Sequence, residues 1–181
     1  VSYIEVLVLG LLREGFRYGH EIDKIIEKRH IRLWTKATRA SIYQTLTRLT
    51  KKGWVETKKE KIGKMPERTV YQLTDQGEAA LSRMVREGLE QSDLPNFEYA
   101  VQLMFMGVLP DKQALAGIAQ RRESFRSLLE RLPPVENYDH EQENLIRRAL
   151  LRFLRSYTEL ELDWLEWVSE EMRKKAERTK G

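Results

Sequence analysis

The stretch TRASIYQTLTRLTKKGWVETKKEK, Thr38 to Lys61, constrains this chain more than any other. At helical spacing Ile42, Leu46 and Leu49 fall on one face, while Ser41, Gln44, Thr45, Arg48, Lys51 and Lys52 fall on another. Thr38 is a good N-cap, Lys51 and Lys52 suit the negative end of the helix dipole, and Gly53 suits a left-handed C-cap. A short helix with both ends marked must bury one face and offer the other, so the fold has to give each face a partner.

The flanking segments give the apolar face its partner. SYIEVLVLGLL reads as a buried first helix that stops near Gly15, and YGHEIDKIIEKRH as a second with the stripe Ile22, Ile25 and Ile26. After the capped helix, Trp54 to Glu60 and Arg68 to Thr74 are extended runs around the turn-forming IGKMP, which predicts a β-hairpin with a basic tip. Thr74 caps a fourth helix with Leu81, Met84, Val85 and Leu89 as its apolar face, and SDLPN, Ser92 to Asn96, reads as a domain boundary. The expected domains are residues 1–92 and 93–181.

Helix, helix, capped helix and basic hairpin is the order of a winged helix-turn-helix. In that arrangement the third helix packs on the first two and turns its other side to a DNA major groove, which explains its double pattern. Charge supports this: residues 1–76 hold 16 Lys/Arg against 9 Asp/Glu, whereas residues 77–181 hold 16 against 19. The expected DNA-contacting set is Tyr18, Thr38, Arg39, Ser41, Tyr43, Gln44, Thr45, Arg48 and Lys51, with Lys58, Lys59, Lys61, Lys64 and Arg68 of the hairpin. Arg39, Ser41, Tyr43, Gln44, Thr45 and Arg48 are assigned to the N-terminal half of the helix, the end that reaches base edges. Arg48 suits a bidentate contact to guanine, Gln44 to adenine, and Thr45 a thymine methyl or a phosphate, while the hairpin bases suit phosphates.

Beyond Asn96 the pattern is helical: a short helix in FEYAVQLMFMGV, one from Asp111 to Leu132, and a long one from about Asp139, with Pro133 and Pro134 separating the last two. In the long helix Ile146, Leu150, Phe153, Tyr157, Leu160, Trp164 and Trp167 are spaced 4, 3, 4, 3, 4, 3, and Leu151, Leu154, Leu162 and Leu165 widen the seam. Such a face serves either an intrachain core or a homodimer interface; the aromatic end, Tyr157 to Trp167, favours contact between subunits. The fold class expected is mainly α: an N-terminal winged helix-turn-helix with a small β-hairpin wing, plus an all-α C-terminal dimerisation domain.

Other chemistries find little support. The chain has no cysteine, so it has neither a disulfide framework nor a thiolate metal site, consistent with a cytoplasmic protein. Val6 to Leu12 is far short of the roughly 20 residues of a membrane span and follows no basic n-region, so neither a membrane segment nor a signal peptide is expected. His20, His30 and His140 lie in no metal-binding spacing, and no nucleophile motif or Gly-rich phosphate loop recommends an enzyme, so no catalytic residue, metal or cofactor is assigned. Trp34, Trp54, Trp164 and Trp167 suit either packing or a flat apolar effector. A winged-helix module that binds protein instead of DNA is the alternative, and it leaves the basic hairpin without a purpose.

YGHEI (Tyr18 to Ile22), SIYQTLTRLTKKGWV (Ser41 to Val55) and YQLTDQG (Tyr71 to Gly77) resemble, in order and spacing, the signature segments of PadR-type transcriptional regulators. The resemblance covers residues 3 to 91, and the helical tail is similar in layout to the longer-tailed branch. It implies a homodimer joined through the C-terminal region and repression by occupancy of DNA; two such heads would meet a palindromic operator, with release if an effector changes their spacing, and the tryptophans make a small aromatic molecule the candidate effector. It also implies that Tyr18 and Tyr43 lie near the DNA backbone; alternatively, Tyr43 is half-buried against Trp34. Ala40 stands where the family usually has Gly, and Gln44 where it often has Pro.

Overall fold

The computed structural model describes residues 2–61, 67–92, 97–135 and 145–178, and the chain divides into two units, Val1–Leu94 and Pro95–Gly181. The first unit runs α1 (Tyr3–Arg13), α2 (Gly19–Lys28), a 3-10 turn (Ile31–Leu33), α3 (Arg39–Lys51), β1 (Val55–Glu60), β2 (Arg68–Leu73) and α4 (Asp75–Glu90). This is the winged-helix order the sequence predicts, and the protein is mainly helical with one two-stranded sheet among the described residues.

The apolar stripes meet in one core. Val8, Leu9, Leu11 and Leu12 of α1 pack with Ile22 and Ile26 of α2, Ile42, Leu46 and Leu49 of α3, and Leu81 and Met84 of α4. Each fully buried Leu or Ile here contributes roughly 1.5–3 kcal/mol relative to exposure. Gly53 has φ +72°, the left-handed conformation that lets the chain leave α3 and enter β1 at once. Thr74 Oγ1 accepts a hydrogen bond from Gly77 N–H at 3.1 Å, capping α4.

The strands pair antiparallel with Val55 opposite Leu73 and Glu60 opposite Arg68. Val55 alone in β1 is buried, so the rest of that strand projects into solvent as a wing. Tyr71 N–H donates to the Arg17 carbonyl at 2.8 Å, tying β2 to the segment before α2.

Sequence periodicity misassigns the end of α4. Val85 and Leu89 are exposed, Leu89 by 83%, because the buried residues of α4 are confined to Gly77–Met84 and the helix runs on past the core.

The second unit contains α5 (Tyr99–Met104), a 3-10 turn (Met106–Val108), α6 (Asp111–Arg131) and α7 (Leu145–Arg178). The expected start of the last helix near Asp139 lies outside the described residues, as does most of SDLPN. α6 packs along α7; Ala114, Ile118 and Leu132 are buried on the α6 side, and Thr158, Glu161, Leu165 and Ser169 form the buried line of α7. Two of these polar residues satisfy themselves: Thr158 and Ser169 donate to the carbonyls of Leu154 and Leu165, one turn back. No helix among the described residues is long and apolar enough to cross a membrane.

Candidate nucleic-acid interface

The outward face of α3 is narrower than its polar residues suggest. At 3.6 residues per turn Ala40, Gln44, Thr47 and Lys51 form its outermost line, all exposed, with Tyr43 and Arg48 on the two flanks. Thr47, absent from the sequence-based set, belongs to this line; a helical wheel centred on Gln44 finds it. Its hydroxyl donates to the Tyr43 carbonyl at 3.1 Å.

Thr45 does not belong there. It is 1% exposed, because the packed arc of α3 is wide enough to cover Thr45 with Ile42, Leu46 and Leu49, so it has no access to a base or a phosphate. Its buried hydroxyl accepts from Arg48 Nη2 at 3.2 Å. Thr38 and Ser41 serve the helix start: Thr38 Oγ1 accepts from Ser41 N–H at 3.1 Å, and Ser41 Oγ accepts from Thr38 N–H at 2.9 Å.

Arg48 corrects the sequence reading in another way. It lies in the last turn of α3, not in the N-terminal half, and its Nε donates to Glu5 Oε1 of α1 at 2.8 Å. Lys52 Nζ reaches the same oxygen at 2.8 Å and lies 4.4 Å from the centroid of the Trp54 ring. Burial pushes the Glu5 carboxyl up, but the hydrogen bonds and charges of Lys52 and Arg48 outweigh it and hold the group below the ordinary value of 4.5.

On the opposite flank Arg39 is exposed, 4.0 Å from Asp23 Oδ2, with its guanidinium 6.0 Å from the Tyr43 ring centre. Tyr43 packs on Gly19 at the start of α2: a Cβ there would stand 2.7 Å from the tyrosine ring, so a larger residue would displace the tyrosine. Gly19 is thus part of the surface under this half-exposed tyrosine. Tyr18 precedes it, where Glu21 accepts from the backbone N–H groups of Arg17 and Tyr18. The Tyr18 hydroxyl donates to Glu60 Oε2 of the wing at 2.5 Å, and this bond to a carboxylate raises the hydroxyl's pKa.

The wing carries exposed cations on both faces, since successive side chains of β1 alternate and Lys58 and Lys59 point opposite ways. Lys59 Nζ is 3.7 Å from Glu67, Lys61 is exposed just past the strand, and Arg68 is half-buried opposite Glu60. Lys64 lies outside the described residues.

In the second unit the heptad seam divides. Leu150, Tyr157 and Trp164 are half-buried within the chain, with Tyr157 against Phe125 and Trp164 against Tyr99 at ring-centre distances of 6.3 and 6.2 Å. The aromatic end, expected at a subunit contact, thus also packs within the chain through Tyr157 and Trp164. Ile146, Phe153, Leu160 and Trp167 remain 76%, 65%, 65% and 59% exposed, on the side of α7 away from the buried line. Within that line Glu161 accepts from Tyr99 and Tyr157 hydroxyls at 2.8 and 2.9 Å and from Arg121 at 3.1 Å. Burial, reinforced by Glu161, pushes the Tyr157 hydroxyl up to about 12. Trp167 also borders a groove of about 300 Å³ lined by Leu103, Met106, Val168 and Met172.

Comparison with known proteins matches this layout. Residues 8–83 match the model of the transcriptional regulator PadR-like family, and residues 97–173 match that of the virulence activator alpha C-terminal region. Bacillus subtilis PadR in complex with operator DNA is 19% identical, with 94% of this chain and 99% of that one covered at a TM-score of 0.74. The same protein in complex with p-coumaric acid is 18% identical over 95% and 99% of the two chains, at 0.71. The Vibrio cholerae virulence activator AphA is 20% identical over 94% and 98%, also at 0.71. At such identities the likeness is one of fold, whereas the two family models follow each other along most of the sequence. The chain carries a domain of the transcriptional regulator PadR-like family in residues 8–83, followed by one of the virulence-activator C-terminal type in residues 97–173.

Proposed function

We propose that this protein is a homodimeric, sequence-specific DNA-binding regulator that represses by occupying a palindromic operator. The observation that carries the reading is the separation of faces on α3: Ile42, Leu46 and Leu49 are buried, while Ala40, Gln44, Thr47 and Lys51 face outward beside a solvent-exposed basic wing. A helix held this way suits a major groove, and Lys58, Lys59 and Lys61 suit the flanking phosphates. Arg39, Tyr43 and Arg48 flank the reading line. Tyr18 acts beside the wing, while Thr38 and Ser41 hold the helix start.

The second unit joins two such heads through the exposed stripe Ile146, Phe153, Leu160 and Trp167, since apolar side chains at heptad spacing are what a second α7 would cover. A small aromatic effector is the candidate ligand: a protein of the same fold was solved with p-coumaric acid. Release follows if the effector alters the spacing of the heads. The site of action is the cytoplasm.

Mobility shift on random duplex DNA at low salt, followed by a salt titration on a selected operator, tests the reading. With about six phosphates neutralised the log-log slope is about −5. A slope near zero removes the wing from the interface, and no shift at all favours a protein-binding module.

A further inference from the structure

Arg48 is the one cation on the outward side of α3 whose guanidinium is held by a carboxylate from another helix at hydrogen-bond distance, and that carboxylate is otherwise out of place. Glu5 sits on α1, between residues that form the core, and its side chain is only 8% exposed. Its Oε1 takes Arg48 Nε at 2.8 Å while Thr45 Oγ1 takes Nη2 at 3.2 Å, so one edge of the guanidinium is fixed by two buried acceptors. Nη1 has no protein partner among the described residues, and the Arg48 side chain is 49% exposed. A guanidinium has five donors in a rigid plane; two are engaged here, and the terminal edge that forks onto a planar acceptor pair remains available.

We propose that Glu5 is a positioning residue for DNA reading: it fixes Arg48 by the Nε edge and leaves the terminal edge to meet guanine O6 and N7. The inference rests on the proposed DNA-binding role of α3. A free arginine on a helix surface must order several rotors when it meets a base, and one already held in plane orders fewer. Glu5 thereby acts on discrimination rather than on overall affinity, because its negative charge opposes binding to any DNA. Lys52 shares the oxygen and serves as the internal control, since it has no planar edge to present.

The test measures binding of wild type, Arg48→Ala, Glu5→Gln, the double variant and Lys52→Met to a selected operator and to its single-base variants. Circular dichroism melts verify that each is folded at the assay temperature. Arg48→Ala should lose about 10-fold of discrimination, or more, at one position of each half-site. Glu5→Gln should lose at least about 3-fold at that same position and none elsewhere, hold or gain affinity for random DNA, and add nothing on top of Arg48→Ala. Lys52→Met should leave that position's discrimination intact. If Arg48→Ala loses discrimination and Glu5→Gln keeps it, the positioning role is overturned while the DNA reading stands. If Glu5→Gln weakens all sequences equally, Glu5 is structural and the inference is overturned. If Arg48→Ala has no base-specific effect, both the inference and the assignment of Arg48 fail.

Discussion

Single residues in this protein are decided by a few ångströms of packing. Thr45 and Gln44 are neighbours in sequence and both polar, yet one is sealed under the core arc and the other stands on the outermost line of α3. Periodicity identified Ile42, Leu46 and Leu49 because large aliphatic side chains have one favourable side. A threonine fits either side, so its placement depends on how far the neighbouring helices reach around. Glu5 carries the prediction at this scale. Its folded pKa lies below 4.5, so the stability from its bonds to Arg48 and Lys52 is fully present above that value and lost as pH falls through the folded one. Thermal melts of wild type and Glu5→Gln from neutral to strongly acid pH should differ at neutrality and converge in acid. A gap that stays constant with pH would remove the charge from the account.

The elements were the most legible level. α3 runs Arg39–Lys51 between the Thr38 cap and the turn at Gly53, because both signals act within one helical turn and need no tertiary partner. Thr38→Ala should cost about 1 kcal/mol in urea unfolding, since it breaks a reciprocal cap that satisfies the Ser41 N–H. A loss below the measurement error would mean that Ser41, whose hydroxyl also donates to the Thr38 carbonyl at 2.8 Å, holds the start alone. The wing was legible as a hairpin, but not the opposite orientation of Lys58 and Lys59, which follows from strand alternation once β1 starts at Val55. In α4 the pattern outran the core, because periodicity describes a helix face and not how far a neighbour extends along it.

At the scale of the molecule, the structure divides the long seam of α7 into a packed half and an uncovered one. Tyr157 and Trp164 lean toward α6 and α5 and Leu150 is half-buried, while Ile146, Phe153, Leu160 and Trp167 are exposed. Replacing Phe153 and Trp167 together with Glu should leave both units folded, because both side chains are already exposed within one chain. In sedimentation equilibrium the variant should be monomeric, and it should bind palindromic DNA far more weakly, since two heads no longer share one effective concentration. Half-sites are expected about one helical turn, roughly 10 base pairs, or a multiple of it apart. A variant that stays dimeric with full affinity would place the subunit contact elsewhere. The sequence by itself determined the order of elements, the capped two-faced helix, the basic wing and the heptad spacing, all carried by caps, turns and side-chain period, which act over a few residues. Only the tertiary structure decided that Thr45 is interior, that Arg48 is held by Glu5 across 43 residues, and which half of the seam is left uncovered. Those outcomes depend on which surfaces meet when helices pack, and no local pattern specifies that.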